Sequence, residues 1–243
     1  MVSVWGVTDR GLVRRQNQDS CAYEVMGRGD AWGVVCDGMG GAKSGDIASN
    51  MAVDTFQRHI AQWKRTGRQE GEEQMLLRAV EEANQEVYRR SQWDLDCAGM
   101  GTTLVGLLLR KDILWTVNVG DSRAYHITKD AIWRITRDHS VVEDLVEKGD
   151  LTPEEARKHP QKNLITRALG TARSVKADLF LRPVQKGDTI LLCSDGLINE
   201  VTDQELYQEI LVGGTPQEIC RRLLDRTLER GAPDNVTIVL FQL

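Results

Sequence analysis

Thr102-Thr-Leu-Val-Gly-Leu-Leu-Leu-Arg110, Lys111-Asp-Ile-Leu-Trp-Thr-Val-Asn-Val119, Gly120-Asp-Ser-Arg-Ala-Tyr-His-Ile-Thr128 and Lys129-Asp-Ala-Ile-Trp-Arg-Ile-Thr136 follow one another without a gap. The stretch holds four short apolar runs, 103–109, 113–119, 123–128 and 131–135, separated only by Arg110-Lys-Asp112, Gly120-Asp-Ser122 and Lys129-Asp130. A parallel crossover needs roughly a dozen residues or more, so linkers this short predict antiparallel neighbours. Outside this meander, Ala31–Cys36 and Thr189–Cys193 read as buried strands that run into Asp-Gly turns, and Val236–Leu240 reads as a further strand.

Two long helices are expected between about residues 44 and 93. Ile47, Met51, Thr55, Phe56, His59, Ile60 and Trp63 recur at three- and four-residue steps, as do Leu76, Ala79, Val80, Ala83 and Val87, so each helix buries one face. Thr152-Pro-Glu-Glu155, Thr202-Asp-Gln-Glu205 and Thr215-Pro-Gln-Glu218 each set a Thr three residues before a Glu, the signature of a capping box. Three more helices start there. Antiparallel strands with helices supplied in pairs imply a layered protein, but periodicity alone does not say which layers face.

The chain has 243 residues, enough for one ample core, with no internal repeat and no linker-like tract to divide it. Its 41% hydrophobic and 28% charged residues exclude disorder as the main state. A formal net charge of −5 argues against a binder of nucleic acid, whose affinity rests on clustered Lys and Arg. The N-terminus lacks a basic stretch followed by an apolar one, and no apolar run approaches the ~20 residues that span a bilayer. Five scattered cysteines without a C-x-x-C pair predict free thiols in a reducing cytoplasm. The six tryptophans are read mainly as core, and His59 and His126 as packed side chains.

Acidic residues supply the chemistry. Val35-Cys-Asp37-Gly38, Cys193-Ser-Asp195-Gly196, Val119-Gly-Asp121-Ser122 and Ala232-Pro-Asp234-Asn235 all set an aspartate at the end of a strand. One Asp-Gly alone is usually only a turn. Four in one domain are a different matter, because carboxylates gathered without matching bases repel one another unless a cation sits among them. Oxygen ligands of this type suit magnesium or manganese, and His and Cys are too few and too dispersed for a soft site. Two such ions close together lower the pKa of a shared water and make a hydroxide nucleophile. An anionic substrate would also need a positive clamp, for which Gly11-Leu-Val-Arg14-Arg15-Gln-Asn17-Gln-Asp19 offers either Arg14 or Arg15.

With these residues in view, the chain resembles the metal-dependent protein phosphatases of type 2C in their bacterial single-domain form. The motifs Arg14-x-x-Asn17-x-Asp19, Asp37-Gly-Met-Gly-Gly41, Met100-Gly-Thr-Thr103, Gly120-Asp-Ser-Arg123, Asp138-His-Ser140, Arg167-Ala-Leu-Gly170, Ser194-Asp-Gly-Leu197 and Asp234-Asn-Val-Thr237 occur in the family's order. Each is weak alone and together they are specific. The resemblance implies an α+β fold, a four-layer α-β-β-α sandwich of two central antiparallel sheets flanked by helix pairs. Residues 1–243 would form one catalytic domain with a flap over about 140–165. It implies a serine/threonine phosphatase that hydrolyses phosphomonoesters with a hydroxide bridging two Mn2+ or Mg2+ ions.

By the same resemblance Asp37 bridges the ions, the Gly38 carbonyl ligates one, and Asp195 and Asp234 complete the other. Asp121, with Asp195, holds a third, weaker ion. Arg14 rather than Arg15 matches the phosphate-binding arginine, Asp19 orients a metal-bound water, and His139 supports the flap hinge. Three positions depart from the pattern, the first being Gln18, where several relatives carry Glu. Ala42 and Lys43 follow Gly41 where many bacterial members carry His, and Met39 replaces the general acid of animal members. The expected partners are phosphoserine and phosphothreonine proteins, targets of a bacterial Ser/Thr kinase; the enzyme is expected to act as a cytoplasmic monomer, without nucleic acid or membrane. The competing readings are a two-metal phosphodiesterase or nuclease, an inactive binding module of the same fold, and a partner-switching phosphatase of an anti-anti-sigma factor.

Overall fold

The computed structural model describes residues 1–27, 29–40, 44–67 and 69–243; Gly41, Ala42 and Lys43, among them the Ala42 that departs from the family pattern, lie outside the described residues. Two antiparallel sheets are stacked between helices. One has the order β1 (Ser3–Asp9), β11 (Val236–Gln242), β10 (Thr189–Cys193), β7 (Arg123–Ile127), β8 (Ile132–Arg134). The other runs β2 (Asp19–Gly27), β3 (Asp30–Met39), β5 (Leu104–Arg110), β6 (Ile113–Val119), β9 (Asp178–Pro183), with the short β4 (Gly101–Thr102) added to β3.

The period-two alternation of the strands builds the layers. Along β3, Ala31 and Val35 face the other sheet and pack with Leu107, Leu192 and Phe241, while Trp32, Val34 and Cys36 face the helices. On that outer side lie α1 (Gly45–Arg65) and α2 (Glu72–Trp93), whose stripe Leu76, Ala79, Val80, Ala83 and Val87 is buried throughout as its spacing predicts. Beyond the other sheet lie the one-turn α5 (Asp195–Ile198), α6 (Asp203–Leu211) and α7 (Pro216–Glu229), packed on β7, β10 and β11. The expected four layers are present. Capping boxes form at Thr152, Thr202 and Thr215, so each start signal opens a helix: α4 (Pro153–Lys158), α6 and α7.

Three readings of the sequence need correction. The linker Gly120-Asp-Ser122 does not close a hairpin: β6 pairs with β5 and β9, whereas β7 pairs with β10 and β8. Three residues are enough to step from one sheet to the next, and Gly120 turns the chain there with φ +109°. Neither is Asp37-Gly38 a turn, since β3 continues through it and pairs with β4. Gly38 serves close approach instead: a Cβ there would lie 2.0 Å from the Gly45 carbonyl oxygen, and one at Gly196 2.0 Å from that of Asn235. Third, the tryptophans divide. Trp32 and Trp63 are core, but Trp5 and Trp133 lie on edge strands and Trp93 ends α2, 87% exposed, because at these places one face of the element has no layer against it.

β1, β2 and β9 have no counterpart in the sequence reading; β1 and β9 are half-exposed strands whose apolar signal is diluted. All five cysteines are free, four of them buried. His126 is buried with Nε2 2.8 Å from Asp188 Oδ2, and His59 pairs with Glu82. Among the described residues no helix is long and apolar enough to cross a membrane.

Candidate active site

A cleft of about 850 Å³ opens where β3 ends, where β10 passes into α5, where β11 begins, and where the 120–122 crossover leaves β6. Arg14, Asp37, Gly38, Asp121, Asp195 and Asp234 all line it. Residues more than 200 positions apart in the chain thus share one wall. Asp19 does not line the cleft. It is 7% exposed, and its Oδ2 accepts from Ser194 Oγ and Thr237 Oγ1, each at 2.7 Å. Arg15, Gln18, Met39, Asn163, Ile165 and Asn235 are also on the wall.

Local chemistry fixes each carboxylate. Thr103 Oγ1 accepts the Asp37 backbone N–H (2.9 Å), while Thr102 Oγ1 and the Thr103 N–H both donate to the Asp37 carbonyl (2.9 Å each). That is the work of the Met100-Gly-Thr-Thr103 motif. Asp195 heads α5, where Asn199 Nδ2 donates to its Oδ2 (3.0 Å). Asn235 ties the Arg14 loop to β11: its Nδ2 donates to the carbonyls of Arg10 and Gln16, and its Oδ1 accepts the Gln18 N–H. Through that tie Arg14 Nη2 reaches Asp234 Oδ2 at 2.7 Å. Asn235, Thr103, Ser194 and Thr237 carry no assignment from the sequence reading. The available signal was their place in the motifs Met100–Thr103, Ser194–Leu197 and Asp234–Thr237.

The electrostatics follow from crowding. Burial, then the carboxylates of Asp19, Asp195, Asp121 and Asp234, push the Asp37 carboxyl well above its usual range. Burial and Asp195 do the same to Asp121. Burial and Asp234 raise Asp195 to about 6, and burial takes Asp19 to about 7 against the pull of its two hydroxyl donors. Arg14 is held above its usual range by its hydrogen bond to Asp234 and by the charges of Asp37 and Asp195.

Such a wall fits hard divalent cations. Among the described residues Asp195 Oδ1 on the wall, and Asp19 Oδ1 behind it, are buried without a hydrogen-bond partner, and the oxygen ligands the wall offers are carboxylates and a carbonyl. Among the described residues no three His, Cys, Asp or Glu side chains converge closely enough to enclose an ion by themselves.

Comparison with known proteins decides the family. The description "Protein phosphatase 2C" matches residues 13–229. The chain belongs to that family. The phosphatase is 36% identical over 238 residues to the serine/threonine phosphatase stp of Listeria innocua, covering 97% of this chain and 93% of that one. In structure it matches the serine/threonine phosphatase Stp1 of Staphylococcus aureus with a TM-score of 0.91 at 35% identity, covering 100% of this chain and 95% of the other. It matches the catalytic domain of the phosphatase PstP, solved in complex with two manganese ions, with a TM-score of 0.85 at 33% identity, covering 99% and 97%. This protein is a serine/threonine protein phosphatase of the 2C type. Its four-layer α+β architecture is the family's fold.

Proposed function

We propose that this phosphatase hydrolyses phosphoserine and phosphothreonine esters with two Mn2+ or Mg2+ ions held by Asp37, the Gly38 carbonyl, Asp195 and Asp234, and a third, weaker ion at Asp121 and Asp195. One observation carries the reading: aspartates from both sheets face a single cleft, with the carboxyls of Asp37, Asp121 and Asp195 driven above the normal range by desolvation and by neighbouring carboxylates. The ions, when bound, supply positive charge that acidifies a water and neutralises the phosphoryl oxygens. Asp19, anchored by Ser194 and Thr237, orients the attacking water. Arg14, with its guanidinium at the cleft mouth, exchanges its contact with Asp234 for the phosphate, whose oxygens its planar fork fits.

Met39 on the wall carries no ionisable proton, so it does not protonate the leaving serine or threonine oxygen. The segment 140–165 serves as a flap that reads the protein around the phosphoresidue, since Asn163 and Ile165 reach the cleft. Residues 1–243 act as one catalytic domain, a cytoplasmic monomer that opposes a bacterial Ser/Thr kinase on common targets.

Asp37→Asn and Asp195→Asn test the assignment. Each is expected to abolish hydrolysis of p-nitrophenyl phosphate and weaken Mn2+ binding in calorimetry, while the circular dichroism stays that of the parent, because removing a repelling carboxylate does not unfold the metal-free protein. Turnover and Mn2+ affinity retained by both variants would falsify the site.

A further inference from the structure

The crossover that carries Asp121 is gripped by one histidine. His139, 2% exposed, precedes α3 (Val141–Glu147). Its backbone N–H donates to the Gly120 carbonyl (2.9 Å), and its ring Nδ1 accepts the Gly120 N–H (3.0 Å). Residue 139 therefore answers both polar groups of the glycine that turns the chain into Asp121. Asn118 Nδ2 adds a second donor to the Gly120 carbonyl (3.2 Å) and reaches the Arg137 carbonyl (2.9 Å).

The tautomer follows from this geometry. With an N–H directed at Nδ1, that nitrogen must carry the lone pair and Nε2 the proton. Nε2–H faces Asp178 Oδ2 at 3.1 Å, on β9 of the neighbouring strand pair. Arg167 Nη1 also lies 2.8 Å from Nε2, but both are donors there, and Arg167 gives its hydrogens to Asp178 Oδ1 (2.9 Å) and the Lys176 carbonyl (3.0 Å). Burial, helped by the Arg167 and Arg137 charges and opposed by Asp178, holds the imidazole below its usual range and so keeps it neutral. The same residue closes the base of the flap segment. Thr166 N–H donates to the His139 carbonyl (2.7 Å), Val141 N–H to that of Leu164 (2.9 Å), and Ser140 pairs with Ile165.

We propose that His139 is a positioning residue of the phosphatase: as the neutral Nε2–H tautomer it fixes Gly120, and through it sets Asp121 against the base of the 140–165 segment. Its metal readout rests on the reading of Asp121 as a ligand of the weaker ion; its backbone readout does not. Two substitutions separate the ring's two bonds. In His139→Asn the amide oxygen can stand where Nδ1 stands and accept from Gly120, whereas in His139→Gln the longer amide reaches Asp178 and leaves the Gly120 N–H without an acceptor.

Hydrogen exchange of the Gly120 amide is measured by NMR on the metal-free protein, and Mn2+ binding by calorimetry. In His139→Gln the amide is expected to exchange roughly 10-fold faster and the weakest Mn2+ step to lose roughly 10-fold in affinity, with kcat falling more than KM; His139→Asn stays within roughly twofold of the parent in each. Equal losses in both variants would reduce His139 to ordinary packing and overturn the proposal, as would no change in either. If the parent binds no third Mn2+, the ion assigned to Asp121 falls, and the amide pattern alone decides the case for His139. Should both variants fail to fold, Asp178→Ala, at a partly exposed site, removes the acceptor that keeps the proton on Nε2. Faster Gly120 exchange then supports the clamp, and parent-like exchange overturns it.

Discussion

Single atoms set the limits at the cleft. Arg14 is half exposed and touches Asp234 without supporting the core, so Arg14→Ala is expected to raise KM for a phosphoprotein about 10-fold or more while leaving the Mn2+ affinity near that of the parent. A phosphoprotein titration that returns the parent KM would remove the clamp from the mechanism. Gly196 is constrained differently. A methyl group there meets the Asn235 backbone oxygen at 2.0 Å, and backbone cannot swing aside as a flexible side chain can. Gly196→Ala should therefore cost about 3 kcal/mol in urea denaturation and lower kcat, because Asp195 is the preceding residue. A denaturation midpoint equal to that of the parent would show that α5 and the 234–235 turn move apart freely. The acidic residues of the wall were legible in the sequence because buried strands delivered them. Asp19 was legible as a family position only, since the hydroxyls of Ser194 and Thr237 that bury it come from the far end of the chain.

At the scale of elements, what could be read depended on how local the determinant was. The capping boxes are contained in four residues each, and all three form. Thr215→Ala removes the acceptor for the Glu218 N–H at the start of α7, and is expected to cost about 1 kcal/mol in thermal or urea unfolding with kcat unchanged. A loss of activity beyond that expected from stability would mean that α7 reports to the cleft. The hairpin β5–β6 was equally legible, since its turn and its two apolar runs are contiguous. The step at 120–122 was not, because a three-residue linker serves a hairpin or a change of sheet, and only the partners β9 and β10, some sixty residues further on, decide between them. The half-exposed edge strands β1 and β9 escaped for the related reason that their pairing, not their composition, defines them.

For the molecule as a whole, the crowded carboxylates link folding to protons. Unfolded aspartates titrate near about 3.9, whereas Asp195 and Asp19 do so at about 6 and about 7 in the metal-free fold. Raised in this way, they bind more protons folded than unfolded, so their contribution is fully favourable below about pH 4 and is lost as pH climbs through 6 to 7. His139, held below its usual range, acts in the opposite sense below about pH 6.5, and the comparison is therefore made against Asp195→Asn. Between about pH 5 and about pH 8, the urea midpoint of EDTA-treated parent protein should fall relative to that of the variant, and Mn2+ should restore it most at the higher pH. Parallel midpoints for the two proteins across that range would mean that the aspartates do not share a field.

The order of the strands carries a consequence for synthesis. β1, which leads into the Arg14 loop, pairs among the described residues with β11 alone, and β11 lies inside its sheet between β1 and β10. While the chain is still being translated, its first strand has no lawful neighbour, and the arginine cannot meet Asp234 until the 236–242 segment has left the ribosome tunnel. Removing the 236–242 segment would therefore excise the middle of a sheet rather than trim its margin.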